Sequence, residues 1–217
     1  MIIQIKVIKG GVGKSFITAN LGHLLSMLDK KVLIISTDAQ NNVYSFFKTD
    51  ELKRYKLVNL RNNLDFVPMK ILGQLSKPKV ENFLNKMNEI YDFILIDSVP
   101  TPSVDNMFLK KADKLIIPAF ADQLTYKGIV KLIKDNSEKV HAIVFNKFNS
   151  NRNLDRHYYN GIKEICNDTN IIVTNPIRET TYINKFLLEN AKTIFESKST
   201  KINDIKLVFQ DLVTSLF

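Results

Sequence analysis

Lys9-Gly10-Gly11-Val12-Gly13-Lys14-Ser15 is the run of residues best suited to chemistry on a phosphate. Three of the seven glycines in the chain fall in it. Glycine lets successive backbone N–H groups turn toward one centre, where they can surround phosphate oxygens. Lys14 follows where an ammonium reaches the terminal phosphates, and the Ser15 hydroxyl can ligate Mg²⁺. The usual phosphate-loop pattern, Gly-x-x-x-x-Gly-Lys-Ser/Thr, would place its first glycine at Ile8. This loop carries an additional lysine, Lys9, instead.

Other polar residues have spacings that fit the same chemistry. Asp97 closes the apolar run Phe93–Ile96, and a carboxylate at that position beside a phosphate loop can hold Mg²⁺. Aspartates also end strands as turn residues. Asp38 follows a second apolar run and can orient or deprotonate an attacking water, or serve a turn. Asn146 and Lys147 follow a third. A guanine site of the type Asn-Lys-x-Asp needs a carboxylate where this chain has Asn149. Its single carbonyl oxygen cannot accept both guanine donors, which favours ATP over GTP. Asn146 can read an adenine edge or end its strand in a turn. The three histidines, His23, His141 and His157, are too dispersed to suggest a metal site.

These residues need a scaffold that gathers strand ends. Apolar, β-branched runs at Ile2–Ile8, Val32–Ile35, Leu64–Val67, Phe93–Ile96, Leu115–Ile117, Ala142–Phe145 and Ile171–Val173 predict strands. Between and after them, helical periodicity predicts helices over Lys14–Leu28, Leu75–Ile90, Gln123–Asn136, Asp155–Cys166, Tyr182–Asn190 and Lys201–Leu216. This alternation predicts an α/β fold: one mostly parallel twisted sheet with helices on both faces. In such sheets ligands sit at the carboxyl ends of the strands. Tyr44–Asn63 is polar and basic and reads as two short helices at most.

A length of 217 residues fits one domain with a substantial core. The formal net charge of +9 suggests an anionic partner, nucleic acid or an acidic membrane face. Cys166 is the sole cysteine, which excludes a disulfide within one chain. No apolar run approaches the ~20 residues of a membrane span, so a soluble cytoplasmic protein is expected.

With these residues in place, the chain resembles the ParA/MinD family of P-loop ATPases, whose loop is called the deviant Walker A. Lys9–Ser15 matches its Lys-Gly-Gly-x-Gly-Lys-Ser/Thr motif. Asp38–Asn42 resembles the end of its Asp-x-Asp-Pro-Gln-Gly-Asn segment, and Tyr91–Pro100 its Walker B strand and turn. Ala112–Pro118 with Thr125 and Gly128 is similar to the segment that follows. The small partition ATPases of plasmids and chromosomes fit best. The chain starts directly with the phosphate-loop strand, so an N-terminal DNA-binding domain is not expected.

The resemblance implies an ATP-sandwich homodimer in which Lys9 crosses to the partner's nucleotide. Lys14 would bind the β- and γ-phosphates in its own subunit, and Asp38 would position water. The implied ATP-binding set is Gly10, Gly11, Val12, Gly13, Lys14, Ser15 and Phe16 with Asn146 and Pro118. Ser15 and Asp97 would hold Mg²⁺. The ATP-bound dimer would bind DNA non-specifically on the nucleoid, through Arg178, Lys198 and Lys201. A centromere-binding, ParB-like adaptor would stimulate hydrolysis.

Three positions depart from the family pattern: Ser36 stands for the first Asp of Asp-x-Asp, Ala39 for the Pro, and Val99 for a Pro or Gly after Walker B. Ser36 can hydrogen-bond water but cannot act as a base. This raises the alternative of a nucleotide-dependent dimerisation switch with weak hydrolysis. A MinD-like positioning ATPase is the other alternative, because the tail carries an apolar stripe at Ile202, Ile205, Phe209, Leu212, Val213 and Leu216. That stripe lacks the basic polar face of an interfacial helix, so it is expected to pack on the core, and no membrane partner is expected.

Overall fold

The computed structural model describes the chain except residues 7, 39, 51, 53–56, 69–76 and 99–101, and except the side chains of 102–105 and 184–186. The expected strand residue Val7, the expected helix start at Leu75 and the departures at Ala39 and Val99 fall outside the described residues.

Among the described residues eight strands form one sheet. In chain order they are β1 (Ile2–Ile5), β2 (Val32–Ser36), β3 (Val58–Arg61), β4 (Leu64–Pro68), β5 (Phe93–Asp97), β6 (Lys114–Ala119), β7 (Val140–Phe145) and β8 (Ile172–Val173). Their spatial order is β3-β4-β2-β5-β1-β6-β7-β8. All pairings are parallel except β3 with β4. β1 lies between β5 and β6, where the winding of the chain reverses, and a ligand crevice opens at such a switch point. Register then aligns the strand ends that matter: Ile5 and Ser36 both pair with Asp97.

The helices are α1 (Lys14–Met27), α2 (Lys77–Ile90), α3 (Pro102–Lys111), α4 (Gln123–Asn136), α5 (Asn153–Cys166) and α6 (Asn203–Thr214). Alternate residues of the central strands feed opposite faces. Ile34 and Leu95 join the cluster under α1, whereas Leu33, Ile35, Ile94 and Ile96 join that of Val80, Leu84 and Phe108 on α2 and α3. α4 and α5 cover β6 and β7 through Ile129, Leu132 and Ile162. Each buried Leu or Ile contributes about 1.5–3 kcal/mol before chain entropy is subtracted.

α1 is buried without interruption from Phe16 to Ser26. A helix enclosed all round needs a layer on each side. Here the sheet supplies one, and α6 supplies the other by burying Ile205, Val208, Phe209, Leu212 and Val213. The apolar stripe of the tail is therefore a core face. No helix among the described residues is long and apolar enough to cross a membrane.

Two elements go beyond the sequence reading. Among the described residues of Tyr44–Asn63, one 3-10 turn, Tyr44–Phe46, buries Tyr44 and Phe46, and β3 runs antiparallel to β4. Asn62-Asn63 joins them, with Asn63 at φ 57°, and asparagine tolerates that conformation in tight hairpins. α3 begins at Pro102, a residue favoured in the first turn of a helix because its missing N–H is not needed there. The expected helix over Tyr182–Asn190 is a π-helical segment, Ile183–Leu188.

His141 joins β7 to the end of α6. Lys114 Nζ lies 3.3 Å from its Nδ1, and its Nε2 lies 2.9 Å from Ser215 Oγ. An ammonium has no lone pair, so Nδ1 accepts and Nε2–H donates to Ser215. Burial first, then Lys114, lowers the imidazole to about 4. Unfolded His141 protonates below its ordinary 6.5, so stability is fully present above that value and falls as pH drops toward about 4. Urea unfolding at pH 7 and pH 5 checks this: the folded state is less stable at pH 5, and His141→Gln shrinks the difference.

Candidate nucleotide-binding site

The glycine loop runs from the end of β1 into α1. Gly11 (φ 81°) and Gly13 (φ 87°) adopt left-handed conformations that cost other residues roughly 1–2 kcal/mol. Gly13 has a second constraint: a Cβ there would lie 1.9 Å from Asn146 Nδ2. The Asn146 amide fills that space and donates to the Val12 carbonyl at 3.0 Å. Asn146 thus braces the loop from the end of β7, while the N–H groups of the first turn of α1 face the crevice. At the loop's start, Ile8 packs where a Cβ on Gly128 would lie 2.2 Å from its Cγ2. The residue before the loop is thereby seated against α4.

Charges converge beneath the loop. Lys14 Nζ lies 2.8 Å from Asp97 Oδ1 and 3.9 Å from Asp38 Oδ2. Asp97 is fully buried and accepts from Ser15 Oγ and Thr18 Oγ1, each at 3.2 Å. Burial pushes the Asp97 carboxyl upward, and the Lys14 ammonium is the chief opposing influence. Breaking such a pair by removing one partner strands a charge in the interior. Asp38 has two occupations: Oδ1 accepts from Gln40 N at 3.0 Å in a turn, and Oδ2 faces Lys14. Ser36 is fully buried, and its hydroxyl lies 3.2 Å from both the backbone N and O of Asp38. It ties the turn and is not presented to water.

The residues present fit Mg²⁺. A hydroxyl and a carboxylate at hydrogen-bonding distance are a hard oxygen pair, and Mg²⁺ takes one or two such ligands along with substrate phosphates and water. Among the described residues no group of three or more His, Cys, Asp or Glu could hold a metal. Ser15 and Asp97 would therefore hold the ion jointly with phosphate oxygens.

A cavity of about 490 Å³ opens over the loop. Lys9 to Phe16, Asp38 and Asn42 form one part of its lining, and Asn146, Lys147 and Arg178 to Thr181 another. Phe46, Ile183 and Leu188 complete it with apolar surface. The volume lies in the range of small-molecule sites.

Some expected residues sit elsewhere or act differently. Pro118 is buried within β6 opposite Val144 and is not among the residues that line the cavity. The Phe16 ring points into the core, 6.1 Å from Phe46 and 5.7 Å from Phe209, so its backbone N–H is the part available to phosphate. Lys9 pairs within its own chain with Asp122 at 2.8 Å. Arg178 lines the cavity and also pairs with Asp204 at 2.7 Å and donates to the Lys201 carbonyl. Lys198 and Lys201 are exposed. Asn149 closes a turn, accepting from Asn151 N at 3.0 Å while its own N–H donates to Asp155 at 2.8 Å.

Sequence reasoning missed Thr18, Asp122 and Asp204. Thr18 follows Ser15 by one helical turn and so shares its face. Asp122 stands directly before a helical run, the usual place for a capping carboxylate, and it accepts from Leu124 N and Thr125 N, each at 3.1 Å. Asp204 carries no local signal, since its partner is distant in sequence.

The glycine loop at the end of a central parallel strand, a lysine beneath it and an aspartate on the adjacent strand define a P-loop nucleotide-binding protein. Residues 3–194 match the CobQ/CobB/MinD/ParA nucleotide binding domain, and the chain belongs to this family of ATPases. A virulence plasmid ParA family protein of Chlamydia psittaci is 23% identical, covering 96% of this chain and 93% of its own. The sporulation initiation inhibitor protein Soj of Bacillus subtilis is 27% identical over 61% of this chain and 63% of its own. The fold is that of apo McdA from Cyanothece, with a TM-score of 0.80 at 19% identity over 100% and 99% of the two chains. It is likewise that of a putative plasmid partition protein of Borrelia burgdorferi bound to AMPPNP, with a TM-score of 0.75 at 22% identity and 98% of each chain covered.

Gly13→Ala tests the packing of the loop. The strained φ and the clash with Asn146 are expected to lower affinity for a fluorescent ATP analogue by about tenfold or more. Thermal unfolding is expected to show the variant still folded.

Proposed function

We propose that this chain is a DNA-partition ATPase, one domain over residues 1–217, whose ATP-bound homodimer binds DNA non-specifically on the nucleoid. The observation that carries the reading is the position of Arg178. It lines the nucleotide cavity on one side and on the other meets Asp204 and the backbone of Lys201. Filling the cavity can thus alter how a cationic surface is presented. The net charge of +9 favours a polyanionic partner. Burial of the tail stripe on α1 removes the surface that a membrane-binding helix would use.

In this reading the loop N–H groups hold the phosphates and orient the triphosphate. Lys14 turns from Asp97 to the β- and γ-phosphates, which releases the Asp97 carboxylate and the Ser15 hydroxyl for the metal. Ser15 and Asp97 would hold Mg²⁺, which would supply charge neutralisation for the phosphates. Asp38 holds the attacking water from the turn that Ser36 ties. Asn146 keeps the loop in place and has its amide oxygen left for the adenine edge. Lys9 completes the partner's site, so turnover waits on dimerisation and is raised by a centromere-binding, ParB-like adaptor. A specific observation favours slow intrinsic turnover: the Ser36 hydroxyl is engaged with the backbone of Asp38.

DNA binding measured by fluorescence anisotropy with ATP, with ADP and without nucleotide tests the reading. Tight, strongly salt-dependent binding with ATP alone is expected, and Arg178→Glu abolishes it. Binding to anionic liposomes without binding to DNA would sink the partition role. Lys14→Ala is expected to lose ATP binding. Asp38→Ala is expected to keep ATP binding and DNA binding but to release phosphate at least about tenfold more slowly in the presence of DNA and adaptor, within the range that general-base loss gives.

A further inference from the structure

Gln4 is the one polar residue of β1, whose other members are Ile2, Ile3 and Ile5, and it is fully buried. Its register partners are Ile96 on β5 and Leu115 on β6. Those two belong to the apolar clusters under α2 to α5. A buried amide is costly there unless it is hydrogen-bonded. Gln4 Nε2 donates to Ser98 Oγ at 3.0 Å, and Ser98 is fully buried as well. Ser98 stands two residues past Ile96, so the bond reaches one step up the same face of the sheet. Asp97, between them, turns to the opposite face, where Lys14, Ser15 and Thr18 meet its carboxylate. The ladder between β1 and β5 ends at Ile5 and Asp97. Gln4 therefore takes hold of the chain just where that ladder stops. On the other edge of β5, Thr37 N and Thr37 Oγ1 donate to the Asp97 carbonyl at 3.0 and 3.2 Å.

We propose that Gln4 is a positioning residue for Asp97: through Ser98 it fixes the end of β5, so that the carboxylate keeps its aim beside Ser15. The proposal rests on the reading that Asp97 and Ser15 hold Mg²⁺. With Thr37 alone, the strand end is pinned at one carbonyl and can pivot about it. Gln4 supplies a second pin, on the opposite edge and one residue further along. Partners of this outer kind set the direction of a metal ligand. While Lys14 stands 2.8 Å from Asp97, their ion pair also aims the carboxylate. Once Lys14 turns to phosphate that restraint is gone, and the two pins on the backbone remain. The loop N–H groups and Lys14 hold the nucleotide without using Ser98. Loss of the Gln4 bond therefore weakens the hold on the metal and spares the hold on the nucleotide.

Gln4→Met removes the bond with a side chain of similar length that suits the apolar face. Ser98→Ala removes it from the other end and serves if the first variant does not fold. Ser98→Thr keeps the hydroxyl. Each full chain is titrated with Mg²⁺ in the presence of a fluorescent ATP analogue, and affinity for the analogue is measured separately in EDTA. Gln4→Met and Ser98→Ala are each expected to raise the Mg²⁺ midpoint by roughly tenfold, the low end of what loss of an outer partner costs a metal site. Affinity in EDTA is expected to stay as it was, and Ser98→Thr to keep the original midpoint. Gln4→Met with Ser98→Ala is expected to shift it no further than either alone, because one bond carries both effects. The positioning role is overturned if both single variants keep the original midpoint, if they lose affinity equally with Mg²⁺ and in EDTA, or if their shifts add in the double variant. Asp97→Asn tests the reading beneath it. If that variant leaves the midpoint unchanged, the metal assignment fails and the proposal fails with it. If it moves the midpoint and Gln4→Met does not, only the positioning role falls.

Discussion

The buried pair between Lys14 and Asp97 is the contact on which the site is organised. A carboxylate at the end of an interior strand is costly without a cation, and a cation under a glycine loop is costly without a carboxylate. Each makes the other tolerable at 2.8 Å. Parallel register delivers the geometry: Asp97 stands level with Ile5 on one side and Ser36 on the other. Lys14 therefore meets Asp97 at the point where β1 gives way to the loop. Ser15 and Thr18, on the first turn of α1, complete the carboxylate's hydrogen bonds. A phosphate that draws Lys14 away leaves behind a buried anion, which is the condition under which a divalent cation is most favoured.

Such an exchange demands a rigid frame, and the enclosure of α1 supplies it. The helix that carries Lys14 and Ser15 is packed between the sheet and α6, with Phe16 wedged against Phe46 and Phe209. Polar ties reinforce it: Asn20 accepts from Ile194 N at 2.8 Å, and His23 Nδ1 lies 2.6 Å from Thr193 Oγ1. Glu196 closes the same segment and pairs with Arg61 of β3 at 2.8 Å. The end of the chain is thus fastened to the helix that begins the site.

Much of this was legible in the sequence, and the reasons differ by element. The central strands read clearly because a strand buried on both faces is a nearly continuous β-branched run. The loop read clearly because glycine and lysine at fixed spacing have few other uses. β3 was missed because an edge strand with one wet face is mostly polar, and its best signal, Asn62-Asn63, is only two residues long. α3 was missed because a helix of ten residues offers little periodicity to read. Pro118 entered the expected set through the family resemblance alone, and the pairing of β6 with β7 runs past it to Ala119. Partners such as Asp204 for Arg178 are not legible at all, since nothing local in the sequence encodes a contact across 26 residues.

Two of the cations that the family resemblance directs outward share one arrangement. Lys9 is met by Asp122 and Arg178 by Asp204, each within one chain. Lys14, directed inward, is met by Asp97. An unpaired lysine or arginine on a chain of charge +9 would attract any polyanion at any time. A carboxylate at contact distance lowers that attraction without abolishing it, because a part-exposed pair is held weakly. Outward binding then requires a polyanion able to displace the internal partner, by carrying more charge or by being presented in a drier setting. Conditional binding of this kind follows from the pairing itself and needs no large rearrangement of the fold.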